Sequence, residues 1–254
     1  MLASLGATCE RGRYLSSGHL AVVGGTFLQK SSQIHLLKIT DTITTESQIT
    51  LPGNFDALEV CGVTRFAKSF VVVSTNGVAG GSLHLIEVDE NEAGHFMLNS
   101  SDKSIAQYDF NYCGVAYNNY LGVVAAASED GSVSIHALPS GDDMTTIDVD
   151  ACGIQALQFT NAGNLLTLGN SSLAQLKLFD MRTRNIDQVM ALRYDTSNHK
   201  HRRTLTSVAV HYANEYEVYC GTSSGHVLQW DMRSEKCIEH KLHESSGTIN
   251  AWHV

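Results

Sequence analysis

Short apolar runs alternate along the chain with turns rich in Gly, Ser and Asn, and the same order of run and turn recurs. Four copies are plain: Gly80-Gly81-Ser82-Leu83-His84-Leu85, Glu129-Asp130-Gly131-Ser132-Val133-Ser134-Ile135, Ser171-Ser172-Leu173-Ala174-Gln175-Leu176-Lys177-Leu178, and Ser223-Ser224-Gly225-His226-Val227-Leu228-Gln229-Trp230. A fainter copy, Ser31-Ser32-Gln33-Ile34-His35-Leu36, opens the series. The first inward position forms the column Ile34, Leu83, Val133, Leu176, Val227. The next reads Leu36, Leu85, Ile135, Leu178, Gln229, so period-two alternation holds in four copies and breaks in the fifth. Ahead of these runs lie Leu20–Val23, Phe70–Val73, Leu121–Ala127, Leu165–Leu168 and Glu217–Cys220, and each pair predicts a β-hairpin. Ala57–Val63, Gly114–Tyr117, Ile154–Phe159 and Thr206–His211 precede hairpins, while Thr145–Val149, Val189–Leu192 and Cys237–Leu242 follow them. Four short strands per repeat result.

Successive copies lie 43 to 51 residues apart, near the ~40–45 of four-stranded propeller blades and far from the ~33 of helical repeats. The expected fold is all-β, a single β-propeller domain over 1–254. Its blades fall at about 18–53, 54–105, 106–150, 151–200 and 201–245, with the start of a sixth at 246–254. Radial blades suit such a chain, because each sheet covers its neighbour and leaves few open edges.

Composition narrows the function. Lys and Arg number 17 against 26 Asp and Glu, a net charge of −9. A nucleic-acid binder needs a dense basic face to displace counterions from phosphate, so no direct nucleic-acid partner is expected. No apolar run approaches the ~18–20 residues that span a bilayer, so no membrane insertion is expected. Met1–Ala7 has no basic residue ahead of it, so no secretory signal is expected, and the glycosylation sequons at Asn99 and Asn170 are idle. The six cysteines form no C-x-x-C pair and read as reduced thiols. Three of them, Cys61, Cys113 and Cys152, recur in a Cys-Gly-Val/Ile context and read as small buried hydrophobes.

Two copies end in Leu178-Phe179-Asp180-Met181-Arg182 and Gln229-Trp230-Asp231-Met232-Arg233, which resemble the Trp-Asp endings of WD40 repeats. That resemblance implies structural roles for Phe179, Asp180, Trp230, Asp231 and His243. The aromatic packs between adjacent blades, the Asp orients a His and a hydroxyl in preceding loops, and His243 opens a sixth blade. Leu37, Ile86 and His136 stand in the aromatic column of the first three copies, and Lys38, Glu87 and Ala137 in the Asp column, so those blades must hold by packing. The stretch from Gly18 onward is similar to the WD-repeat nucleoporins of the outer-ring Y complex, most specifically in Ala127–Gly131, Thr146–Asp148, Leu165–Arg182 and Trp230–Arg233. Membership implies a WD40-type propeller of seven blades, about five of them in this chain, which is then C-terminally truncated. It also implies a non-enzymatic scaffold of the nuclear pore. The partners would be the α-helical stack subunit of the short arm and another small propeller; the locations would be the nuclear envelope and, in mitosis, the kinetochore. No cofactor is implied.

Other constellations carry competing readings. Gly221-Thr222-Ser223-Ser224-Gly225 matches the nucleophile-elbow pattern, but a strand follows where a helix is needed, so it reads as a hairpin turn and not a catalytic site. Cys237, His240 and His243 have a metal-like spacing, yet residues three apart on a strand point to opposite faces, so no metal is expected. His199-Lys200-His201-Arg202-Arg203 is a basic cluster in a long loop, solvated or facing an acidic partner. Arg182 and Arg233 follow their blade Asp by two residues. They fit a rim salt bridge or a partner contact, and paired endings of this kind resemble those of WD40 substrate receptors of cullin-4 ubiquitin ligases, where they would meet the ligase adaptor.

Overall fold

Alternating Val, Ile, Leu and Thr between Gly-rich turns builds strands and hairpins, because branched side chains fit the pleat and Gly reaches the left-handed backbone that tight turns require. The computed structural model describes residues 11–14, 20–26, 32–63, 68–92, 94–150, 152–169, 175–182, 186, 188–193, 204–211, 213–214 and 216–241. These hold five four-stranded sheets, each a meander in chain order. The first comprises β1 (Arg11–Tyr14), β2 (Leu20–Thr26), β3 (Ser32–Ile39) and β4 (Ile43–Leu51). The second comprises β5 (Asn54–Val63), β6 (Lys68–Gly77), β7 (Gly80–Glu90) and β8 (Phe96–Tyr108). The third comprises β9 (Tyr112–Asn118), β10 (Val123–Ser128), β11 (Ser132–Ala137) and β12 (Asp143–Asp148). The fourth comprises β13 (Ile154–Phe159), β14 (Asn164–Gly169), β15 (Gln175–Asp180) and β16 (Gln188–Arg193). The fifth comprises β17 (Leu205–Val210), β18 (Glu217–Thr222), β19 (His226–Asp231) and β20 (Lys236–Lys241). The first sheet starts at Arg11, upstream of the boundary drawn from the hydrophobic pattern, because Arg11-Gly12-Arg13-Tyr14 carries no apolar alternation.

The chain divides into two compact units, one of residues 1–126 with 134–145 and one of 127–133 with 146–254. In the first unit, Ile34 and Leu36 of β3 pack against Val71 and Val73 of β6 and Ile86 and Val88 of β7. Leu83 and Leu85 of β7, with Phe70 and Val72 of β6, pack in turn on Tyr112, Val115, Val124 and Ala126. In the second unit, Leu176 and Leu178 of β15 pack on Val218 and Cys220 of β18 and Leu228 and Trp230 of β19. One rule covers all three contacts: the inward column of one sheet meets the opposite face of the next. Both faces of a third strand are therefore spent on packing. Leu37, Ile86, Phe179 and Trp230 are as buried as the columns read from period two, which alternation alone had placed outward.

Three sheets share an irregularity. The pairing of the first two strands shifts between Phe55 and Ala57, between Ile154 and Ala156, and between Leu205 and Ser207. Each is a β-bulge at the second residue of its strand (in β5, the third), and the extra residue is Asp56, Gln155 or Thr206.

Candidate functional site

Two surfaces stand out once packing has been assigned. The first is the pair of blade ends in the second unit. Trp230 is 1 % exposed and pairs with Val218 across the hairpin, so its indole fills the space against Leu176 and Leu178. Phe179 is likewise buried and pairs with Leu165. Beyond each aromatic the strand ends at an Asp, and the chain turns back on it. The Asp180 carboxylate accepts from the Arg182 amide at 3.0 Å, from Nε at 2.8 Å and from Nη2 at 2.7 Å. Asp231 accepts from the Arg233 amide, Nε and Nη2 at 2.9, 3.1 and 3.0 Å. Such two-pronged pairs are the strong form of the carboxylate–guanidinium bond. The bond from Arg182 pulls the Asp180 carboxyl down to about 2, and Arg233 lowers Asp231 in the same direction. The Arg233 guanidinium also lies 5.0 Å over the Tyr216 ring.

This changes the role expected for the blade Asp. Among the described residues no histidine or hydroxyl bonds to Asp231, whose partners are the amide and side chain of Arg233. Its donors are at the surface and not buried, because the strand delivers it to the rim, where a guanidinium two residues on reaches back across the turn. Of the two readings of Arg182 and Arg233, the rim salt bridge is the one the geometry displays, at 2.7 and 3.0 Å. His243 lies outside the described residues, as does the basic cluster 199–203.

Residues 221–225 comprise the end of β18 and its turn into β19. The Thr222 hydroxyl donates to the His226 carbonyl at 3.0 Å, and the Ser223 amide donates to the Thr204 carbonyl at 2.9 Å, both of them turn contacts. Cys237 stands opposite Trp230 and His240 opposite Val227, on different faces of the sheet, and the His240 ring bonds to Gln229 at 3.1 Å. Among the cysteines, Cys220 is buried, but Cys152 is exposed and Cys113 only half-buried. The burial expected of the Cys-Gly motif fails at Cys152, because it sits in the turn before β13 and not on a strand.

The second surface, missed by pattern reading, belongs to the first unit. Val78, at the tip of the β6–β7 turn, is fully exposed, and Phe110, in the β8–β9 loop, is half exposed. The described turns at the same step in the third and fifth sheets are Glu129-Asp130-Gly131 and Ser223-Ser224-Gly225, so an apolar tip at Gly77-Val78-Ala79-Gly80 was a signal available in the sequence. The two segments are locked together. The Asn76 amide donates to the Tyr112 carbonyl at 2.8 Å and accepts from the Tyr112 amide at 2.9 Å. The Gly81 amide donates to the Phe110 carbonyl at 3.1 Å. Gly80, with φ of 105°, leaves no room for a Cβ against the Tyr108 carbonyl, and a Cβ on Gly81 would stand 2.6 Å from the Tyr112 ring.

Five meandering sheets of blade size, each joined to the next by the same face rule wherever a unit shows it, set the architecture. The model of the nucleolar protein 10-like, N-terminal domain family, a β-propeller, matches residues 91–254. The chain belongs to this family. As a nucleolar protein 10-like propeller it is an all-β protein of the WD40 kind, and a domain of this class points to a protein-interaction scaffold. No curated protein matches the chain.

Proposed function

We propose that this nucleolar protein 10-like propeller is a non-enzymatic docking subunit of a nuclear assembly, the outer ring of the nuclear pore. One observation carries the docking role: the polar groups that suggested chemistry are used to hold turns and strand ends. Asp180 and Asp231 bind their own Arg, Thr222 binds its own hairpin, and His240 binds Gln229. What remains for function is surface. The outer-ring assignment is supported by the likeness of Ala127–Gly131, Thr146–Asp148, Leu165–Arg182 and Trp230–Arg233 to the forty-three-kilodalton nucleoporin of the Y complex. Its partners are then the short-arm α-helical stack subunit and a small propeller, and it resides at the nuclear envelope. A second reading, a nucleolar assembly, is favoured by the family's name.

Affinity isolation of the tagged full chain from nuclear extract, followed by mass spectrometry, tests this. Outer-ring nucleoporins are expected. Recovery of nucleolar proteins without them would replace the first reading by the second. Recovery of a ubiquitin-ligase adaptor, lost when Arg182 and Arg233 are both changed to Ala, would instead support a ligase substrate receptor.

A further inference from the structure

We propose that the edge made by the β6–β7 turn and the β8–β9 loop docks a segment of a partner protein in which an arginine stands beside an apolar side chain. The inference rests on the docking role above and adds to it a location and a partner chemistry.

Val78 and Phe110 are exposed on segments bonded to each other, so both side chains stand on one edge of the unit. Side chains of this size gain ~1.5–3 kcal/mol when fully covered. Just before Phe110 in the chain, Tyr108 adds a second ring 6.0 Å from it and Asp109 an exposed carboxylate. The Asp109 carboxylate has no bonded partner among the described residues.

The rest of the edge specifies the cation. Residues 51–54, 76–81 and 108–112 carry one charged side chain, Asp109, and no Lys or Arg. The unit around them holds 7 Lys and Arg against 13 Asp and Glu, so its field draws a cation in. A guanidinium satisfies both groups at once: its edge donates to a carboxylate while its face lies on an aromatic ring, which an ammonium does less well. Val78 supplies the apolar contact beside it. The edge is also preformed. The paired bonds between Asn76 and Tyr112 and the closeness of Gly80 and Gly81 to residues 108–112 fix the loop before any partner arrives, which spares the ordering cost of binding.

Phage display of random dodecapeptides on the full chain, with fluorescence polarisation of the labelled winning peptide, tests the proposal. Winning peptides are expected to carry Arg next to Leu, Ile or Phe. Their affinity should fall about tenfold or more with Phe110→Ala, about threefold with Val78→Ser, and about two- to fivefold with Asp109→Asn. Tyr120→Ala, 82 % exposed in the β9–β10 turn, should leave it unchanged. Val78 and Asp109 are exposed, so their variants fold whatever becomes of Phe110→Ala. Winners that lack Arg, binding that ignores Val78→Ser and Asp109→Asn, or no winner at all would overturn the proposal. Arginine-peptide binding without outer-ring recovery from nuclear extract would sink the pore reading alone, and the reverse pattern would sink this one alone.

Discussion

Replacing Trp230 by Ala tests the packing rule at the place where the most surface rests on it. The indole is 1 % exposed and contacts the Leu176 and Leu178 column of the preceding sheet together with Val218, Cys220 and Leu228 of its own. A Trp buries up to ~250 Å², and at ~25 cal/mol per Å² a buried area of ~200 Å² corresponds to ~5 kcal/mol. Aromatic-to-Ala changes in cores cost ~3–5 kcal/mol, a large share of a domain's ~5–15. Urea unfolding followed by far-ultraviolet circular dichroism is the suitable assay, since the mutation removes one of the two tryptophans and so changes the fluorescence signal itself. A midpoint shift worth ~3–5 kcal/mol is expected, beside a shift within ~0.5 kcal/mol for Tyr120→Ala as the exposed control. Ile86→Ala, the counterpart of Trp230 in the second sheet, should cost ~2–5 kcal/mol, because it meets Ile34 and Leu36 in the same way. If Trp230→Ala costs less than ~1 kcal/mol with an unchanged denaturant slope, the blade aromatic does not join the two sheets and the reasoning fails.

The Asp180 carboxyl, held at about 2 against an ordinary 3.8 by Arg182, favours the folded state above pH 3.8, and that contribution is lost as the pH falls toward 2. Arg182→Ala should therefore lower the melting temperature at neutral pH and flatten its fall across that window, as melting curves at successive pH values would show. Gly80→Ala should destabilise by ~2 kcal/mol or more, because its Cβ meets the Tyr108 carbonyl; Gly94→Ala has its nearest atom 3.9 Å away and should lose only ~1 kcal/mol to its positive φ. In alkylation at pH 8 read by peptide mapping, exposed Cys152 should react before Cys237 and Cys220. Cys237, pushed up to about 11 by burial of its thiol, should react slowly, and the wholly buried Cys220 only after unfolding. Equal labelling of Cys152 and Cys220 would refute the burial assigned to β18.

The apolar columns were legible because each lies on one face of one strand, a local period that needs no knowledge of neighbours. Ile34, Leu83, Val133 and Leu176 are wholly buried, and Val227 is nearly so. The second buried face was not legible. Its members include Ser132, Ser134 and His136 in β11, polar residues that alternation assigns to solvent and that the structure buries. Buried there, they meet protein in place of water, as when the His136 ring meets the hydroxyl of Ser134, two residues away on the same strand face, at 3.0 Å. The blade-end residues were found by resemblance, but their bonding was not: that Asp231 would turn to Arg233 depends on where β19 stops. Val78 and Phe110 escaped because a single Val in a turn and a single Phe in a loop look unremarkable until two glycines let their segments lie side by side.

The bulges at Asp56, Gln155 and Thr206 set how this chain tolerates changes in length. Slack in β13 lies at the bulge alone: removing Gln155 would restore even pairing with Ile154 still opposite Gly169, whereas removing a regularly paired residue farther along would swing every side chain on one side of the cut round to the wrong face. An insertion of the same size would do likewise from the other direction. Between the third and fifth sheets, where each strand runs six or seven residues, the copies drift in spacing through their turns. A gene that diverges under this constraint keeps the pairing register of its strands while its loops are free to diversify.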